Sequence, residues 1–206
     1  VLAVGGRDVG IIGITDVPKA DAAEAVADLK AQGLRTVMLT GDNERVAKAV
    51  AMEIGIDSYL AGVPPNEKAG AIAKLQEQGE VVAMVGDGIN DAPALTQADV
   101  GIAIGSGTEI AKEAGGIVLT RGDLSGVSSA IRLSKKTLGK IRQNMFWAMV
   151  YNSAGIPIAA GILYPALVLR PEIASLAMAM SSVSVVANSL LLKRSDFGRT
   201  NYKKYR

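Results

Sequence analysis

Val81-Val82-Ala83-Met84-Val85 runs straight into Gly86-Asp87-Gly88-Ile89-Asn90-Asp91. Five consecutive apolar residues before a turn fit a strand buried on both faces. An acidic loop then falls at the strand's carboxyl end, where open α/β sheets gather ligands. Gly86 and Gly88 let the backbone turn sharply and approach a bound group closely. Asp87 and Asp91 offer carboxylate oxygens in a chain with no histidine and no cysteine. Such donors suit a hard ion such as Mg2+, which keeps waters and adds a phosphate oxygen.

On either side of this stretch, strands and helices alternate. Leu2–Val4 and Val9–Thr15 flank Gly5-Gly6-Arg7-Asp8, a hairpin signal. An amphipathic helix is expected from about Ala20 to Gln32, with Ala23, Val26 and Leu29 on one side, closed by Gly33. A strand at Thr36–Leu39 leads into Thr40-Gly41-Asp42-Asn43, and a helix over Glu44–Ile54 ends at Gly55. A short strand near Tyr59–Leu60 precedes Pro64-Pro65-Asn66-Glu67-Lys68, which opens a helix that stops at Gly79. Beyond the acidic loop come a short helix over Pro93–Gln97, a strand at Val100–Ile104, a helix at Glu109–Ala114 and a strand at Ile117–Leu119. This order predicts a parallel sheet with helices on both faces.

The 206 residues carry a formal net charge of only +2, yet the charges are sorted. Up to Ile131 there are 18 acids against 10 bases; beyond it the acids are Glu172 and Asp196 alone, among 12 bases. Basic residues around apolar stretches point to a membrane surface rather than nucleic acid, and sparse aromatics argue against a stacking platform for single strands. Without cysteine or histidine there is no disulfide framework, zinc cluster, thiolate nucleophile or histidine base in this segment. The chain opens at Val1 in mid-pattern, with no visible signal peptide, which suggests a piece of a longer polypeptide.

From Asp123 a long helix is expected to run past Lys140. Met145–Leu163 and Ile173–Leu192 then lack any charge. Each is long enough, at roughly 30 Å as helix, to cross the hydrocarbon core. Pro157 is tolerable in such a helix. The intervening loop carries Arg170, while both outer flanks are strongly basic. The positive-inside rule then places both flanks in the cytoplasm.

Three separate stretches would meet at the strand ends. Thr40 and Gly41 offer a hydroxyl and a backbone N–H at a helix start, Lys68 a point charge, and Asp87 and Asp91 a metal site. Phosphoryl transfer needs this combination, because its catalysis is mostly positioning and charge neutralisation.

Thr40-Gly41-Asp42-Asn43, Pro64-Pro65-x-x-Lys68, Gly86 to Leu95, and Ala98-Asp99-Val100-Gly101-Ile102-Ala103-Ile104-Gly105 together resemble the phosphorylation domain of P-type ATPases, which has the haloacid-dehalogenase-like fold. The resemblance implies that Asp87 and Asp91 bind Mg2+ with Asn90 supporting the loop. It also implies that Thr40, Gly41 and Lys68 hold the phosphoryl group delivered by ATP. The family's nucleophile lies in an Asp-Lys-Thr-Gly-Thr motif after the central strand, and that string does not occur here. The expected fold is therefore a haloacid-dehalogenase-like, Rossmann-like parallel sheet, incomplete at its central strand, followed by two transmembrane α-helices. Alone, such a chain should not hydrolyse ATP and should be poorly stable.

Tyr151-Asn152 in the first uncharged run and Met178-Ala179-Met180-Ser181-Ser182 in the second resemble the last two helices of heavy-metal-transporting P-type ATPases, closest to the Cu+ (Ag+) exporters. The resemblance makes Tyr151, Asn152, Met178 and Ser182 the candidate ligands of transported Cu+. A thioether is a soft donor suited to Cu(I), and neither run carries the charge expected of a zinc or cadmium exporter. The implied organisation is a phosphorylation domain over 1–131, a basic linking helix over 132–142, two membrane helices over 143–192 and a basic cytoplasmic tail over 193–206. The implied partners are membrane lipid, ATP, Cu+ or Ag+ and the absent N-terminal part of the same polypeptide, with no nucleic acid. The alternatives are an exporter of another metal cation, or a non-catalytic membrane-anchored module that binds Mg2+ and phosphate. The reading frame upstream of Val1 separates the transporter from the module.

Overall fold

In the computed structural model the described residues are 2–10, 17–87, 90–105, 116–120, 122–162 and 171–194. The helix expected at Glu109–Ala114, the residues Gly88 and Ile89, and the basic tail beyond Arg194 lie outside them. The chain divides into a unit over Val1–Val127 and a second over Ser128–Arg206.

In the first unit, β1 (Leu2–Val4) and β2 (Arg7–Gly10) form an antiparallel hairpin. Gly5 and Gly6 make its turn, both in the left-handed region at φ 59° and 78°, which a Cβ disfavours. Helix α1 (Ala22–Ala31) buries Ala22, Ala25 and Val26. Strand β3 (Val37–Leu39) pairs in parallel with β4 (Ser58–Leu60) through the crossover helix α2 (Glu44–Ile54). The Asn43 side chain caps α2 by accepting from the Val46 N–H at 3.1 Å, and Gly55 ends it in the left-handed conformation.

Helix α3 (Lys68–Glu77) follows a 3₁₀ turn over Pro65–Glu67. Strand β5 (Ala83–Gly86), helix α4 (Ala92–Gln97), β6 (Val100–Ile104) and β7 (Ile117–Leu119) complete the unit. β5, β6 and β7 form a parallel sheet in that order. Leu95 of α4 and Ala103 of β6, each 1% exposed, form a core with Met84 and Val118 packed against them. Asp99 fixes the entry to β5: its carboxylate accepts from the Val82 N–H at 2.8 Å and from the Gln76 amide at 3.1 Å, which holds its pKa below the ordinary value.

The parallel strands do not close into one sheet. Among the described residues β3 pairs with β4 alone and β5 with β6 alone, so the edges of β3 and β5 stay unpaired. A groove of about 520 Å³ lies between them, lined by Val37 and Leu39 on one side, by Val82 and Met84 on the other, and by Ile72 and Leu75 of α3. Arg35 and Glu80, also on its walls, form an exposed ion pair at 3.4 Å.

Asp21, at the head of α1, turns its carboxylate to the next long element: it accepts from the backbone N–H groups of Leu124 (2.6 Å) and Ser125 (3.2 Å). An anion at a helix start is favourable, and helix α5 begins there. It runs unbroken over Ser125–Ala159 with Pro157 inside, and the long helix expected from Asp123 past Lys140 is its first part. Helix α6 covers Pro171–Leu191. Among the described residues no helix is long and apolar enough to cross a membrane.

A polar chain joins the two helices. Lys140 Nζ donates to Asn188 Oδ1 at 2.8 Å, Asn188 Nδ2 to Asn144 Oδ1 at 2.7 Å, and Asn144 Nδ2 to Ser189 Oγ at 2.9 Å.

Candidate functional site

The strand β5 delivers Asp87 to its carboxyl end, and the short helix α4 starts from Asp91. Asp91 stands at the N-cap position, where a carboxylate ordinarily accepts from the first-turn N–H groups. It makes no such cap. Its Oδ1 instead accepts from Lys68 Nζ at 2.7 Å, in a pair whose side chains are only 17% and 14% exposed. Lys68 opens α3, so contact between α3 and α4 brings together two groups 23 positions apart. A partly buried ion pair keeps both charges oriented, because neither is fully rewarded by water.

The loop after β3 is built differently. The Thr40 N–H donates to the Leu60 carbonyl at 3.0 Å and its carbonyl accepts from Val63 at 3.0 Å, which anchors the loop to β4. The Thr40 hydroxyl donates to Asp42 Oδ2 at 2.9 Å and accepts from the Asp42 N–H at 3.1 Å. Thr40 is thus satisfied inside its own turn, and Asp42 is a partner that the sequence reading did not single out. Its signal was present: a threonine two residues before an aspartate is a side-chain turn pattern. A Cβ on Gly41 would lie 3.6 Å from the Val63 carbonyl, an ordinary contact. Asn90 is exposed next to Asp91.

The residues fit a magnesium ion. The donors are carboxylate oxygens four positions apart in the sequence, and Asp91 Oδ2 occupies the space that a Cβ on Gly86 would fill, 2.5 Å from it. Among the described residues no three Asp, Glu, His or Cys side chains cluster, so two carboxylates would leave the remaining positions to water or phosphoryl oxygen.

In the second unit, Tyr151 and Asn152 lie on α5 and Met178 and Ser182 on α6, all exposed. The Tyr151 ring packs near Trp147, with centroids 6.4 Å apart. Ser182 lies one turn beyond Met178 and its hydroxyl donates to the Met178 carbonyl at 3.4 Å.

Comparison with known proteins bears on this arrangement. A family model described as haloacid dehalogenase-like hydrolase matches residues 1–99. A probable copper-exporting P-type ATPase of Archaeoglobus fulgidus is 56% identical over 195 residues, 94% of this chain and 24% of its own length. The chain belongs to the heavy-metal P-type ATPases. Another relative, the copper-exporting P-type ATPase of Staphylococcus haemolyticus, is 57% identical over 94% of the chain, and the silver exporting P-type ATPase of Salmonella typhimurium is 50% identical over 96%. The chain spans about a quarter of the length of these curated relatives, 24% in each. Among solved structures, a zinc-transporting PIB-type ATPase in an E2.Pi state matches with TM-score 0.79 and 40% identity, covering 91% of this chain and 30% of that one. The fold of the heavy-metal P-type ATPase unit is thus a haloacid-dehalogenase-like α/β domain with parallel sheets.

Proposed function

We propose that this chain is the C-terminal part of an ATP-driven exporter of monovalent copper. The observation that carries the reading is the Lys68–Asp91 pair, which ties a cationic group from one stretch to the acidic loop of another. Copper is favoured over other cations by the names of the curated relatives and by the soft Met178 thioether.

Asp87 and Asp91 would hold Mg2+, which when bound offsets charge on a transferring phosphoryl group. Lys68, oriented by Asp91, would meet a phosphoryl oxygen as a point charge. The Thr40 hydroxyl would turn from Asp42 to donate to the same group, Gly41 would add its N–H, and Asn90 would support the acidic loop. The nucleophilic aspartate belongs to an Asp-Lys-Thr-Gly-Thr motif that this sequence lacks. We read the groove between β3 and β5 as the place of the strand that carries it. One strand inserted there would pair with both open edges and make a continuous sheet, β4-β3-insert-β5-β6-β7.

The charge-free parts of α5 and α6 would lie in the membrane, with the first unit and both basic ends cytoplasmic. Their support is the large apolar side chains left to solvent, including Phe146 at 60%, Met149 at 64%, Leu176 at 64% and Val183 at 64% exposed. Tyr151, Asn152, Met178 and Ser182 would then ligate Cu+ as transported substrate.

In the complete polypeptide, Asp87→Ala should abolish phosphoenzyme formation from ATP; normal phosphoenzyme levels would refute the magnesium assignment. Met178→Ala should raise the copper concentration for half-maximal turnover by at least tenfold, and an unchanged copper dependence would remove it from the ligand set.

A further inference from the structure

Gly86 is the first glycine of the acidic loop, yet it is not among the left-handed glycines of the chain. A residue with a side chain could adopt its backbone angles. What forbids one is space. A Cβ there would lie 2.5 Å from Asp91 Oδ2, 2.7 Å from Asp91 Cβ and 3.0 Å from Asp91 Cγ. These are parts of a short side chain that is held at its other end, where Oδ1 meets Lys68 at 2.7 Å. The carboxylate cannot yield toward the lysine without closing an already short pair, and cannot yield away without breaking it.

We propose that Gly86 is a positioning residue: the void left by its missing side chain is the seat of the Asp91 carboxylate, and occupancy of that seat sets the Lys68–Asp91 pair. The inference rests on the reading of Asp91 as part of a magnesium site for its functional consequence, though not for its geometry. The same seat explains why Asp91 gives up the capping bond open to it at the start of α4: with one oxygen over Gly86 and the other on Lys68, neither faces the first-turn N–H groups.

Two measurements on the complete polypeptide test this. In isothermal titration with MgCl2 alone, Gly86→Ala should weaken magnesium binding at least tenfold, whereas Gly70→Ala, at a helical position with nothing within 4 Å of the added Cβ, should leave it unchanged. In thermal unfolding, Gly86→Ala should lower Tm in the native sequence and leave it unmoved in an Asp91→Gly background, where nothing remains to collide with. Equal Tm losses in both backgrounds would overturn the seat, as would magnesium binding by Gly86→Ala equal to that of the native chain while Asp91→Asn binds weakly. If Asp91→Asn binds magnesium normally but the Tm coupling persists, the seat stands and the metal role of Asp91 falls.

Discussion

Asp57 shows how single side chains pin this fold. Its Oδ1 meets Lys30 Nζ at 2.6 Å, and its Oδ2 accepts from both the N–H and the hydroxyl of Thr36, at 2.9 and 2.8 Å. One carboxylate thus ties the end of α1, the approach to β3 and the approach to β4. Lys30 foremost, then the Thr36 donors, hold its pKa down to about 2 from the ordinary 3.8. A depressed folded-state value means that the contribution is complete above 3.8 and disappears as pH falls toward about 2. Thermal unfolding of Asp57→Asn should accordingly show a flatter decline of Tm across that window than the native chain; parallel curves would show the contact to be idle. Asp99 also holds a backbone N–H in the first unit, but its role was no more legible beforehand, because an exposed acid at a loop looks the same whether solvated or bonded. The meeting of Lys68 with Asp91 was anticipated, because both stretches fall at strand ends of the expected sheet. That Asp91 forgoes its cap for Lys68 was not, since it depends on how α3 packs on α4.

The secondary elements were largely announced by their punctuation. Asn43 and Gly55 bracket α2 by capping chemistry, Pro65 starts the turn into α3, and Ala92–Gln97 follows from the acidic loop. Helix α5 carries its basic first half and charge-free second half in one unbroken element, Ser125–Ala159, because a change of composition does not interrupt backbone hydrogen bonds. The polar chain from Lys140 to Ser189 was not foreseen. Asn188 within the second charge-free run was the available signal, since an amide among apolar neighbours needs a partner. Asn188→Ala breaks two of its links, to Lys140 and Asn144. Interhelical bonds of this kind contribute about 1 kcal/mol, so the complete protein in detergent should unfold at a measurably lower Tm. An unaltered Tm would mean that the two helices are held by other contacts.

Across the whole molecule, alternation of strand and helix gave the parallel α/β class, while the pairing that breaks between β3 and β5 followed from the family pattern rather than from any local residue. Periodicity describes each strand and says nothing of its neighbour. The open edges make a prediction in hydrogen exchange. Edge-facing amides of Val37–Leu39 and Ala83–Gly86 should exchange rapidly in this chain and become protected in the complete polypeptide. Equal protection in both would exclude the groove as the seat of a missing strand.

Those bare rims carry a hazard of their own. A parallel strand edge flanked by valine, leucine and methionine is a template for any extended peptide of similar character. At high concentration the nearest supply of such peptide is another copy of this chain in a partly unfolded state. Charges at Arg35 and Glu80 blunt one end, but they are spent on each other and leave the apolar walls unguarded. Clumping on overexpression would therefore be a direct result of the architecture, and an added peptide that fits the vacancy would act as its antidote.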